Sequence, residues 1–224
     1  MAIQIQGNSG IIADVDGTTF RAQKFSPRPE DYGSLGAYAW GASTGILPAA
    51  LAANSEILQF RWTDATRFAV IHKIRISASV TTTMFAAGVP VEIDLVKATG
   101  WTGQGTGGTG VTIGTSIKRR TSMGSSLVAA GDIRIATTAA LGAGTKTLDA
   151  NSSSSIVAGG PITASLNGTI IMPNTIFWQA KVGDGEHPFI FTANEGFIIR
   201  SVAVPATGTW RAAFTIDWAE VTAY

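Results

Sequence analysis

The stretch TWRAAFTIDWAEV, residues 209–221, decides the fold class. Trp210, Ala212, Phe214, Ile216 and Trp218 fall on every second position, with Arg211, Ala213, Thr215 and Asp217 between them. A period of two belongs to an extended strand, whose successive side chains point to opposite faces. An amphipathic helix would instead space its apolar residues three and four apart. This strand therefore has an aromatic face suited to a core and a more polar face suited to solvent. The PATG before it, residues 205–208, supplies turn residues. Before that, GFIIRSVAV (196–204) is another β-rich run, and the two are expected to pair as a hairpin.

The same alternation recurs upstream. ILQFRW (57–62) sets Leu58, Phe60 and Trp62 against Gln59 and Arg61. RFAVIHKIRISASV (67–80) is long and rich in β-branched residues, which pack better on a pleated sheet than in a helix. VPVEIDLVKATGW (89–101) points Val91, Ile93 and Leu95 inward and Glu92 and Asp94 outward. GDIRIAT (131–137), GTIIM (168–172), TIFWQAKV (175–182) and HPFIFTA (187–193) are shorter candidates. Gly-, Ser- and Thr-rich connectors lie at 103–116, 121–126, 142–145 and 151–160. Short strands separated by regular turn signals predict an all-β domain of sandwich, jelly-roll or barrel type. Only 136–150 and 47–56 leave room for a brief helix.

Residues 1–55 read differently. MAIQIQG alternates like a strand, but a Pro-Arg-Pro segment at 27–29 cannot join the middle of a sheet. LGAYAWGASTGILPAALAA (35–53) has no charge and is broken by Gly36, Gly41, Gly45 and Pro48. Extended chain packed on protein suits it better than a membrane span, which needs about 20 mainly apolar residues. The expected division is an N-terminal arm at 1–55 and a β-sandwich, jelly-roll-like domain at 56–224. Arms of this kind reach onto neighbouring subunits.

Composition points to assembly. Charged residues are 14% of the 224, against about 25% in ordinary soluble domains, so much surface is expected to be hidden against partners. The net charge of +1 gives no field to steer the chain to nucleic acid or to an acidic membrane. With no cysteine, disulfides, thiolate metal sites and cysteine nucleophiles are excluded. The N-terminus lacks the basic-then-apolar pattern of a signal peptide.

Five features of the sequence bear on chemistry. GTGGTG (105–110) matches a dinucleotide-binding glycine pattern, but VTIGTSIKRR after it has no helical period to bring a helix N-terminus to a phosphate. DVDGTT (14–19) opens like a calcium loop with Asp14 and Asp16, yet Gly17 comes too early and Gln23 stands where a glutamate is required. KRR (118–120) is too short for nucleic-acid binding and suits a loop tip or an intersubunit contact. His72 shares a register with Val70, Ile74 and Ile76, so it is expected to face inward as a hydrogen-bonded core or interface residue. GDGEHPFIFTANEGFIIR (183–200) gathers Asp184, Glu186, His187 and Glu195, but the glycines and Pro188 make its start a turn and Asn194 and Gly196 make a second turn. The acids then sit at opposite ends of one short strand. Whether Asp14 with Asp16, or Glu186 with His187, holds an ion stays open. No catalytic residue, cofactor site or metal site is assigned.

Three segments carry a resemblance: MAIQIQGNSGIIADVDGTTFRA, SEILQFRWTDATRFAVIHKI, and GEHPFIFTANEGFIIRSVAVPATGTWRAAFTIDWAEV, the last with ANEGF, PATGTW and WAEV. Together they resemble virion structural proteins of tailed bacteriophages. That resemblance implies a β-rich subunit of a symmetric particle, made in the host cytoplasm and without enzyme activity. The chain lacks the length and long helix of a major capsid protein, which favours a decoration (cement) protein on the outer surface of the head. The implied partners are the major capsid protein and copies of the chain itself, with a trimer expected, and neither nucleic acid nor membrane. Phe20, Arg21, Arg28, Tyr32, Tyr38 and Trp40 are the expected assembly contacts, because aromatic and Arg side chains anchor interfaces. Two rival readings remain: a tail tube or fibre-associated protein, and a carbohydrate-binding β-sandwich using its six Trp as stacking platforms.

Overall fold

The structure is a computed structural model describing residues 5–6, 12–13, 36–82, 84–85, 88–113, 117–160, 168–181 and 186–222. Among these residues every regular element is a strand. β1 (Ile5–Gln6) and β2 (Ile12–Ala13) pair with each other. The remaining strands form two antiparallel sheets packed face to face, the predicted β-sandwich.

One sheet has the order β12 (Ile170–Gln179), β6 (Phe68–Thr82), β15 (Thr209–Val221), β3 (Ala37–Ser43); β13 (Phe189–Phe191) also pairs with β6, and β4 (Leu47–Pro48) with β15. The other has the order β10 (Thr145–Leu148), β7 (Val91–Gly103), β14 (Glu195–Ala203), β5 (Ser55–Trp62), β9 (Ile133–Ile135), β8 (Thr109–Val111), with β11 (Ser154–Ala158) also on β7. Successive long strands change sheet: β3, β5, β6 and β7 alternate, and so do β12, β14 and β15. With β10 beside β7 as the eighth strand, the two sheets form interleaved four-strand sets, the winding of a jelly roll.

The expected hairpin of the last two strands does not form. β14 lies between β5 and β7, and β15 lies between β6 and β3 in the opposite sheet. The reason is visible in β14. Phe197 and Ile199 face the sandwich interior, while Ile198 packs on the other side with Val96, Ala98 and Trp101. A strand apolar on both faces belongs in the middle of a covered sheet. The connector 204–208 is therefore a crossing between sheets.

Three more expectations change. The two positions left for a helix hold β4 with the start of β5, and β10. GTIIM and the start of TIFWQAKV are one strand, β12, bent by register shifts on both sides of Pro173. The boundary at residue 55 falls too late, since β3 and β4 both belong to the sandwich. Tyr38 and Trp40, expected to reach a neighbour, are 1% and 7% exposed in the chain's own core. Their alternation along β3 directs them inward against β15. Phe20, Arg21, Arg28 and Tyr32 lie outside the described residues.

The core has a continuous aromatic seam. Trp178 stacks on Phe189 (ring centroids 4.0 Å apart), Phe189 contacts Phe191, and Phe191 contacts Phe197. Phe197 stacks on Phe60 at 5.2 Å, Phe60 meets Trp218 edge-on, and Trp218 meets Tyr38. The seam runs from the β12 side of the sandwich to β3. Each such pair adds about 0.5–1.5 kcal/mol beyond its area burial.

A long excursion between β7 and β10 seals one side of the sandwich. Beyond β5 it adds β9 and then β8, and between these two strands in the chain it lays residues 117–119 along the edge of β3, where Ile117 O accepts from Ala39 N and Arg119 N donates to Ala37 O. The opposite side, at β11 and β12, has no such cover among the described residues. Its sequence, residues 150–180, contains no charged residue. Val157, Ile170 and Ile176 are 60%, 66% and 54% exposed there.

Candidate functional site

The motifs that suggested chemistry are mostly structural ties. In the described part of GDGEHPFIFTANEGFIIR, Glu186 accepts a bond from Lys181 N at 2.9 Å and Glu195 accepts one from Thr192 N at 2.9 Å. The two carboxylates lie on either side of β13, each engaged by a nearby backbone N–H. His187 Nδ1 lies 2.8 Å from Pro188 O. Asn194 has a φ of 65°, the left-handed conformation that a turn Asn tolerates. Asp184 and the whole DVDGTT motif, with Asp14 and Asp16, lie outside the described residues.

The glycines of GTGGTG serve close packing. A Cβ on Gly105 would collide with the Gly142 carbonyl oxygen, and one on Gly108 with that of Ile135. Strand β8, not a helix, follows the motif.

Buried ionisable groups fasten the excursion to the sheets. Asp132 accepts from Arg61 Nε and Nη2 at 2.8 and 2.6 Å, from Gln104 Nε2 at 3.0 Å and from Thr63 Oγ1 at 2.6 Å. Glu56 holds Lys146 at 2.8 Å and Gln59 at 2.6 Å, and the same ammonium sits 4.4 Å from the centre of the Trp101 ring. Burial lowers the Lys146 pKa, opposed by the Glu56 bond and charge. Glu220 accepts from Ser126 Oγ at 2.6 Å, Leu127 N at 3.0 Å and Trp218 Nε1 at 3.1 Å. Burial raises its pKa; these bonds pull the other way.

A polar groove lies elsewhere, on the outer face of the six-stranded sheet. The β6–β15 register passes from Asp217 opposite Lys73 directly to Trp218 opposite Ile71, leaving His72 as the extra residue of a β-bulge. Ile71 and Ile74 both point into the core, so His72, expected inward, turns to the outer face. Bulges re-aim side chains in this way. The result is a groove of about 510 Å³. Its polar lining is His72, Lys73, Arg119, Arg120, Gln179 and Asp217, with Tyr38 and Trp218 behind. Arg119 forms an ion pair with Asp217. Burial lowers the His72 pKa, and the Asp217 charge opposes that shift. Two of the three KRR residues thus line a groove.

The sequence carries one signal of that groove. In AVIHKIRI the inward apolar residues step from Ile71 to Ile74, a spacing of three within a period of two, which marks a bulge.

Among the described residues, no group of three His, Asp or Glu is placed to hold a metal ion, and no helix is long and apolar enough to cross a membrane. Trp40, Trp62, Trp101, Trp210 and Trp218 are buried, and Trp178 is half-buried under its stack with Phe189. Compared with protein-family models, curated proteins and solved structures, the chain matches none of them.

Proposed function

We propose that the chain is a non-enzymatic structural subunit of a tailed-phage virion, decorating the head and stabilising it by binding across capsomer junctions. The observation carrying this reading is the asymmetry of the sandwich. One side is sealed by the excursion between β7 and β10 and its buried Arg61–Asp132 ion pair. The other presents an uncharged edge with Val157, Ile170 and Ile176 exposed. Edge strands left without charge invite pairing with another chain, and the exposed apolar side chains along them add area that such pairing removes from water. Covering it stabilises an assembly by about 25 cal/mol per Å² removed from water. Many weak copies on one particle then add up through multivalency. The low charge content and the resemblance of the C-terminal segment to phage structural proteins support the same reading, with copies of the chain and the shell protein as partners.

The test has two parts. Light scattering on the purified protein should show a homo-oligomer, a trimer being the expected state, and Ile170→Asp with Ile176→Asp should shift it toward monomer. Incubation with heads lacking the protein, followed by imaging, should show it on the outer surface. Failure of the wild-type protein to bind such heads would sink the decoration role, and tube formation alone would move the protein to the tail. The buried or stacked Trp side chains weigh against sugar-stacking platforms.

A further inference from the structure

We propose that the groove at the β6–β15 bulge binds an acidic, extended peptide segment of a partner protein. Its size, about 510 Å³, falls within the range of built ligand sites. Among the described residues that line it, Lys73, Arg119 and Arg120 outnumber the acidic side chains, of which there is one, Asp217, paired with Arg119. Lys73 makes no ion pair among the described residues.

The asymmetry continues along the sheet. Arg75 and Arg211 share the outer face, Arg75 opposite Thr215 and Arg211 opposite Ser79. Apart from Asp217, the described parts of β3, β6, β12 and β15 carry one acid, Glu220, which is buried and bonded to Ser126 and Leu127. On these four strands Lys73, Arg75 and Arg211 stand against one outward carboxylate, Asp217, and Arg119 and Arg120 reach the groove from the excursion, a local positive field on a chain of net charge +1. Small residues along the same face, Gly41, Ser77 and Ala213, leave room for a backbone to approach. A groove open on a sheet surface and continued by further cations suits an extended polyanion better than an enclosed small molecule. Arg guanidinium forks match carboxylates in two-point geometry.

Fluorescence anisotropy with a labelled oligo-glutamate peptide tests this, with oligo-glutamine as the neutral counterpart. The acidic peptide should bind, weakening as salt rises, and the neutral one should not. Lys73→Glu combined with Arg120→Glu should weaken binding about tenfold or more. Lys97→Glu, which alters an exposed cation on the opposite sheet, should change it less than about twofold. Circular dichroism checks the fold; if the double reversal does not fold, Lys73→Gln is read in the same assay and should weaken binding severalfold. Equal weakening by Lys97→Glu, or unchanged binding in the groove variants, overturns the proposal. Displacement of the peptide by stoichiometric inorganic phosphate assigns the groove to a small oxyanion and also overturns it.

Discussion

Replacing Asp132 with alanine should be among the most damaging single changes in the chain. The side chain is fully buried, and that of Arg61, its partner, is 11% exposed. Asp132 accepts four hydrogen bonds, two from Arg61 and one each from Thr63 and Gln104. Asp132→Ala therefore strands a guanidinium at low exposure. Breaking a buried pair from one side costs about 3–5 kcal/mol. For a chain of this size each kcal/mol lowers Tm by about 2–4 °C, so the expected fall is about 6–20 °C. Differential scanning calorimetry on wild type, Asp132→Ala, Arg61→Met and the double variant reads both the size and its origin. Because much of the penalty is the stranded charge, the double variant should be more stable than Asp132→Ala alone. A loss below about 1 kcal/mol, or strict additivity of the two substitutions, would refute the claim that this pair fastens the excursion to β5.

Two further predictions concern titration at the β3–β15 end of the core. Burial, with the Glu220 charge adding to it, pushes the Tyr38 phenol from 10.0 up to about 12. In an absorbance titration at the tyrosinate band, the step that Tyr38→Phe removes should lie near 12; a step near 10 contradicts the burial of Tyr38. Glu220 is also raised, chiefly by burial. A carboxyl with a raised folded pKa contributes stability that is fully present below its unfolded pKa and is lost as pH rises through the folded value. Glu220→Gln escapes that loss, so its Tm relative to wild type should rise from acid to neutral pH, and a constant or falling difference counts against the assignment.

Most strands could be found in the sequence because their alternation is clean. β5, β7 and β15 follow the period-two runs closely, since apolar residues on one face specify register wherever that face is buried, and β6 and β14 stand out by their β-branched and apolar content. Strand partners were harder to see. PATG between two β-rich runs has the chemistry of a hairpin turn, yet Ile198, Val96, Ala98 and Trp101 build a second apolar cluster outside the sandwich. A strand serving two cores must be central, and that depends on residues about a hundred positions away. Tyr38 and Trp40 misled for a related reason. Their charge-free neighbourhood suggested an interface, but it equally suits a strand at the margin of the chain's own sheet, covered by residues 117–119.

The groove shows where periodicity carries more information than it first gives. Counting in twos toward Ile74 and Ile76 places His72 inward, and that count assumes an unbroken ladder. Val70 itself packs on the outer side, with Ala219 and Val221, so His72 does share its face; the step to Ile74 is what fails. The chain passes from one phase to the other at His72 and Lys73, and Trp178 and Ile176 make a matching irregularity in β12 opposite Ile74 and Arg75. A bulge tolerated in a middle strand sacrifices ladder regularity. Here it turns an imidazole and an ammonium onto the face that Arg119 and Arg120 reach from the excursion. The same excursion that closes the sandwich against one kind of contact thus supplies two of the cations for another, linking the sealing of the fold to the charge of its open face.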